Sequence, residues 1–134
     1  MTMNSPKKNT LRKHQILRNQ KEIDEIFNKG ERAAFYPLRF IALLQENPDK
    51  CTANKHQFIF FVAKKIIPLA VNRNKIKRWL REVFRTEQYL LALDANKFFQ
   101  IAVIFSPKKK HEVTINDIRQ SVRAYIQFLN KKNN

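Results

Sequence analysis

The densest chemistry in the chain is the run Arg73-Asn74-Lys75-Ile76-Lys77-Arg78, followed by Arg81 and Arg85. Guanidinium and ammonium groups at this spacing bind phosphates. Asn74 adds a side chain that both donates and accepts, suited to a sugar hydroxyl or a base edge. Residues for covalent or acid–base chemistry are absent from any usable pattern. His14, His56 and His111 stand in polar segments, expected to be exposed, with no paired acid or nucleophile. Glu22, Asp24 and Glu25 are the nearest approach to a carboxylate cluster, but at helical spacing Asp24 points away from the other two. Acids in a first turn complement the helix dipole. Cys51 has no second cysteine to pair with, and Gly30 as the only glycine precludes a glycine-rich phosphate loop. No catalytic residue and no metal site is therefore expected in the chain itself.

An element must hold the cations in register. At helical steps over residues 72–89, Ile76, Trp79, Leu80, Val83 and Phe84 fall on one arc of roughly 140°, and Arg73, Lys77, Arg78, Arg81 and Arg85 fill the adjoining arc. One side is for the core and the other is a cationic ridge, interrupted only by Glu82. Solvated helix faces usually mix both signs. Stacking one sign costs folding energy through repulsion, which an anionic ligand offsets.

The whole chain has the same bias: 27 Lys and Arg against 11 Asp and Glu give a formal charge of +16 in 134 residues. Such a surface favours a polyanion, with nucleic acid ahead of an anionic membrane because no long apolar span or terminal apolar-faced helix is apparent. Residues 1–13 are polar and basic and read as a mobile arm without the apolar stretch of a secretory signal, so a cytoplasmic location is expected. Residues 14–130 form one domain and 131–134 a basic tail.

Within that domain Asn19 caps a helix with Glu22 as its third residue, Ile23, Ile26 and Phe27 follow at helical spacing, and Gly30 stands where a left-handed C-terminal residue is wanted. Apolar runs at 38–44, 57–64 and 98–105 predict strands. Residues 45–56 read as a polar loop. Thr114 and Asp117 predict a capping box opening a last helix with the stripe Ile115, Ile118, Val122, Ile126 and Leu129.

The stretch Val62-Ala63-Lys64-Lys65, a short connector, and then Asn72-Arg73-Asn74-Lys75-Ile76-Lys77-Arg78-Trp79-Leu80-Arg81-Glu82-Val83-Phe84-Arg85 resembles the signature of the bacterial ribonuclease P protein component. The family pattern has a Lys-Lys pair at a strand end, then Arg-Asn-Arg, an apolar residue and Lys-Arg opening a long helix. Lys75 stands where arginine is commonest. The resemblance extends over residues 11–129, although only 62–85 is diagnostic.

That resemblance implies an α+β two-layer sandwich in the order αβββαβα, with a small mixed sheet and a left-handed βαβ crossover, against the usual hand. It implies a protein that assists a catalytic RNA in removing the 5′ leader of precursor tRNA, with ribonuclease P RNA and precursor tRNA as partners rather than DNA. Lys64, Lys65, Arg73, Asn74, Lys75, Lys77, Arg78, Arg81 and Arg85 become the RNA-binding set. Ile23, Phe27, Phe40 and Phe60 are candidates for a leader cleft between the first helix and the sheet, with core packing the default for the phenylalanines. Mg²⁺ for hydrolysis is expected on RNA phosphates. Two departures bear on the site: the connector Ile66-Ile67-Pro68-Leu69-Ala70-Val71 lacks the glycine many members have, and Ile23 replaces a frequent phenylalanine. A structural RNA-binding protein of ribosomal type is the alternative, and a stand-alone basic nuclease is a second rival.

Overall fold

A computed structural model describes residues 15–46, 56–91, 97–108 and 113–133. The expectations for the basic arm, His14, Cys51 and His111 lie outside these residues.

Helix α1 spans Gln20–Lys29, and the Asn19 side chain accepts from the Glu22 N–H as its cap. Gly30 follows, but not in the left-handed region: its φ is −68° and its ψ 154°. The glycine is required by space. A β-carbon there would overlap the Ile26 carbonyl oxygen and lie 2.6 Å from Ile41 Cγ2. Gly30 N–H donates to that same carbonyl at 2.7 Å, so helix end and sheet close directly onto one another.

Strand β1 (Glu31–Phe35) turns through a cis Tyr36–Pro37 bond into β2 (Leu38–Glu46), and β3 (Gln57–Phe61) follows. Next come α2 (Ala70–Glu87), a 3₁₀ turn at Gln88–Leu90, β4 (Lys97–Phe105) and α3 (Ile115–Asn133). The sheet order is β1-β2-β4-β3, antiparallel except for the β3–β4 pair, which α2 connects as a crossover. The residue pattern gave no sign of β1, an edge strand whose side chains are half-buried at most. Thr114 and Asp117 form the expected reciprocal cap: Thr114 N–H donates to Asp117 Oδ2 at 2.8 Å, and Asp117 N–H donates back to Thr114 Oγ1 at 3.3 Å.

Alternation along the strands makes two apolar faces. One carries Phe40, Phe58, Phe60, Ile101, Val103 and Phe105 against α2 and α3, with Phe40 stacked on Tyr125 at 3.9 Å between ring centroids. Each such fully buried side chain contributes roughly 1.5–3 kcal/mol. The other face presents Ile41 and Ala102 to Ile23 and Ile26 of α1. Because α1 and the α2–α3 pair cover opposite faces, β4 is apolar on both, which explains its unbroken run.

His56 corrects the expectation of exposure. It is 2% exposed, its Nδ1 accepts the Phe99 N–H at 3.0 Å, and its carbonyl accepts from Gln15 Nε2. The polar residues before it in sequence say nothing about a position where β3 begins beside β4.

Candidate RNA interface

The ridge stands on α2, whose other side is anchored by the fully buried Leu80, Val83 and Phe84. Trp79, placed on the core arc by its spacing, is only partly buried and packs at the core's edge. The helix begins at Ala70, two residues before Asn72, with no side-chain cap and no acid in its first turn. Its free N–H groups therefore add positive potential at the end nearest Lys64 and Lys65.

The predicted cations divide into two sets. Arg73 folds back and donates through Nη1 to the carbonyl oxygens of Ile67 and Pro68, at 3.0 and 2.8 Å. Ile66 and Ile67 donate their N–H groups to the Ala63 carbonyl, and Ile67 is buried. These bonds fix the path of the connector that lacks the family glycine. Arg85 is held by Glu82. Asn74, Lys77, Arg78 and Arg81 have no hydrogen-bond or ion-pair partner among the described residues, and all but Lys77 are exposed. At about 100° per residue these four occupy a band roughly 100° wide, with Lys64 and Lys65 exposed in the turn before the helix. Lys75 lies outside that band, its Nζ 5.2 Å from the centre of the Trp79 ring.

Glu87, where α2 ends, ties the helix to α3. It is 5% exposed and accepts from Arg123 Nε at 2.8 Å and from Arg119 Nη1 at 3.1 Å. The Arg123 and Arg119 bonds hold its carboxyl below the usual range despite burial. The basic helix is thus oriented by a charged bond at its far end and by Arg73 at its near end.

A second surface opens where α1 leaves part of the sheet uncovered. Phe27 meets Phe61 edge to face at 5.6 Å, and Ile59, Phe61 and Ile104 are partly exposed beside it. Arg32 donates to the Phe27 carbonyl at 2.9 Å, and Arg39 is exposed next to Ile104 in register. Phe40 and Phe60 are corrected as cleft residues: strand alternation sends both to the opposite face, buried under α2 and α3. Ile23 is 8% exposed and belongs to the core cluster of Leu17, Ile26, Ile41 and Ala102, so it backs the cleft and does not line it. Ile59, Phe61 and Ile104 went unnoticed in the sequence, although the i, i+2 rule puts Phe61 opposite Phe60.

Among the described residues no three His, Cys, Asp or Glu side chains form a metal-binding group. Glu22 accepts from Gln100, Asp24 from Gln20, and Glu82 and Glu87 from arginines, so these carboxylates are engaged. No helix of the described residues is long and apolar enough to cross a membrane.

Residues 11–130 match the Ribonuclease P family. The ribonuclease P protein component of Chlorobium phaeobacteroides is 33% identical over 122 residues, covering 85% of this chain and 84% of that protein. Its counterpart in Rickettsia prowazekii is 35% identical over 100 residues, 72% of this chain and 78% of that one. Among solved structures, the Staphylococcus aureus RNase P protein superposes with a TM-score of 0.64 at 23% identity, over 90% of this chain and 98% of that one. The Thermotoga maritima RNase P protein gives 0.62 at 24% identity, over 84% and 94%. At these identities the structures speak for the fold, and the sequence matches speak for the family.

Proposed function

The chain belongs to the bacterial ribonuclease P protein component family, and we propose that within that ribonucleoprotein it works by binding and not by catalysis. It is an RNA-binding part of an endoribonuclease complex in tRNA processing, which favours that reading over a ribosomal-type protein. On our reading Asn74, Lys77, Arg78, Arg81, Lys64 and Lys65 contact the catalytic RNA. The cleft of Phe27, Ile59, Phe61 and Ile104, flanked by Arg32 and Arg39, takes the single-stranded 5′ leader of precursor tRNA, bases over the apolar floor and phosphates toward the arginines. The cleaving centre belongs to the RNA.

The observation that carries this is the division of α2 into a buried side anchored at Leu80 and a band of unpartnered cations around Arg81. Magnesium finds no cluster of three His, Cys, Asp or Glu side chains among the described residues, where Glu22, Glu82 and Glu87 are taken by Gln and Arg side chains. RNA phosphates are its proposed ligands, and the protein helps by fixing the substrate beside them. The test is precursor cleavage by the catalytic RNA with and without the chain. At low magnesium, omission slows cleavage sharply, and high magnesium partly restores it. Equal rates at low magnesium would overturn the proposal, as would cleavage by the protein alone.

A further inference from the structure

On the flank of α2 away from the cationic band lies a hollow of about 480 Å³. It is within the roughly 300–1,000 Å³ typical of small-ligand clefts. Pro68, Leu69, Phe105 and Val113 form apolar walls, and Asn72, Lys75 and Trp79 stand along the helix side. Leu69 is 65% exposed here, and the Trp79 ring is only partly buried. Leu69 and the open side of the indole thus present apolar surface to solvent.

We infer that this hollow is a nucleobase pocket, taking one unstacked base of the RNA that covers α2, with Trp79 as its stacking surface. The inference rests on the RNA-binding reading of α2 and adds a base contact to it. Charge complementarity selects the occupant. Around the helix, Arg78 ends the cationic band and Lys75 follows about 60° further, before Trp79. Phosphates bound at Arg78 therefore continue onto Lys75, which would leave its place over the indole, 5.2 Å from the ring centre, to meet them. A base attached to such a phosphate is delivered to the hollow. Stacking on an aromatic ring is indifferent to base identity, whereas the exposed Asn72 amide can pair with a base edge. An apolar protein segment would satisfy the walls but would leave Lys75 and Asn72 without partners.

Trp79 is the only tryptophan of the chain, so its emission reports on this hollow alone. The full chain is titrated with ribonuclease P RNA, with a single-stranded oligoadenylate and with inorganic polyphosphate as a charge-only probe. Both RNAs should quench the emission, and polyphosphate should bind while quenching far less. Trp79→Leu should weaken RNA affinity roughly ten-fold without changing its salt slope, and Trp79→Phe should restore most of the loss. Bound RNA with unchanged emission overturns the pocket but leaves RNA binding standing, whereas absence of any RNA binding overturns the functional reading itself. Quenching by polyphosphate equal to that by RNA, or an emission shift on raising protein concentration alone, also overturns it, the latter assigning the hollow to a second copy. The wild-type titration needs no variant, so instability of Trp79→Leu does not shield the proposal.

Discussion

Arg85 donates through Nε and Nη2 to the two carboxylate oxygens of Glu82, at 3.0 and 2.6 Å. The pair spans one helical turn, and each partner favours the other's charged form, the Glu82 carboxyl going down and the Arg85 guanidinium up. Arg81, one residue before, has no such partner among the described residues. A phosphate meeting Arg85 must compete with a carboxylate already in place, while one meeting Arg81 displaces only water and counterions.

Arg81→Ala should therefore lower the slope of log affinity against log salt for the partner RNA by about one phosphate's worth, and Arg85→Ala by clearly less. Filter binding across a salt series measures both. Equal slope changes would show that Glu82 releases Arg85 to the RNA.

Gly30→Ala tests the closure between α1 and the sheet. The backbone at Gly30 is one that alanine adopts readily, so the cost comes from overlap with the Ile26 carbonyl and with Ile41 Cγ2 at 2.6 Å. Overpacking of this kind destabilises by roughly 1–3 kcal/mol. Urea denaturation should show that loss at unchanged m-value. A neutral or stabilising change would mean that α1 shifts freely on the sheet.

These cases mark what the sequence could reveal. Local signals were legible: Asn19 as a cap, the Thr114–Asp117 box, and the side of α2 that Leu80 and Val83 bury. Each depends on neighbours within a turn of helix. What depends on the sheet was not. Phe60 and Phe61 are the same residue type on opposite faces, and only the register of β3 on β4 tells which is core. His56 is polar in polar text yet buried, because its partner Phe99 lies on another strand. Arg73 reads as a phosphate ligand like its neighbours, and its bonds to Ile67 and Pro68 follow from a connector path that spacing does not encode.

Glu87 makes stability depend on pH. Its folded carboxyl lies below the ordinary glutamate value of about 4.3, chiefly through the hydrogen bond from Arg123. A depressed acid contributes stability that is complete above the unfolded value and is lost as pH falls through the folded one. Unfolding free energy should accordingly decline as pH drops below about 4.3. In Glu87→Gln this part of the decline should vanish, after a loss at neutral pH of about 1–3 kcal/mol for the charged bonds removed. Thermal melts of both proteins from neutral to acid pH measure the difference. Parallel profiles would show that other carboxylates govern the acid limb.

Phe61 and Phe60 provide the sharpest contrast, adjacent in sequence and opposed in space. Phe61 touches Phe27 in the open cleft, whereas Phe60 is 7% exposed and lies 5.9 Å from the Phe84 ring in the core. Phe61→Ala should therefore weaken binding of precursor tRNA relative to mature tRNA by roughly ten-fold, the worth of one stacked base, with a small change in melting temperature. Phe60→Ala should do the reverse: a stability loss of about 3–5 kcal/mol and an unchanged precursor-to-mature ratio in the folded fraction. Affinities of the holoenzyme for the two tRNA forms decide it. If Phe61→Ala weakened both forms equally, the cleft would have no part in holding the leader. Phe61 and Ile59 would then be no more than the partly covered edge of the core beneath α1.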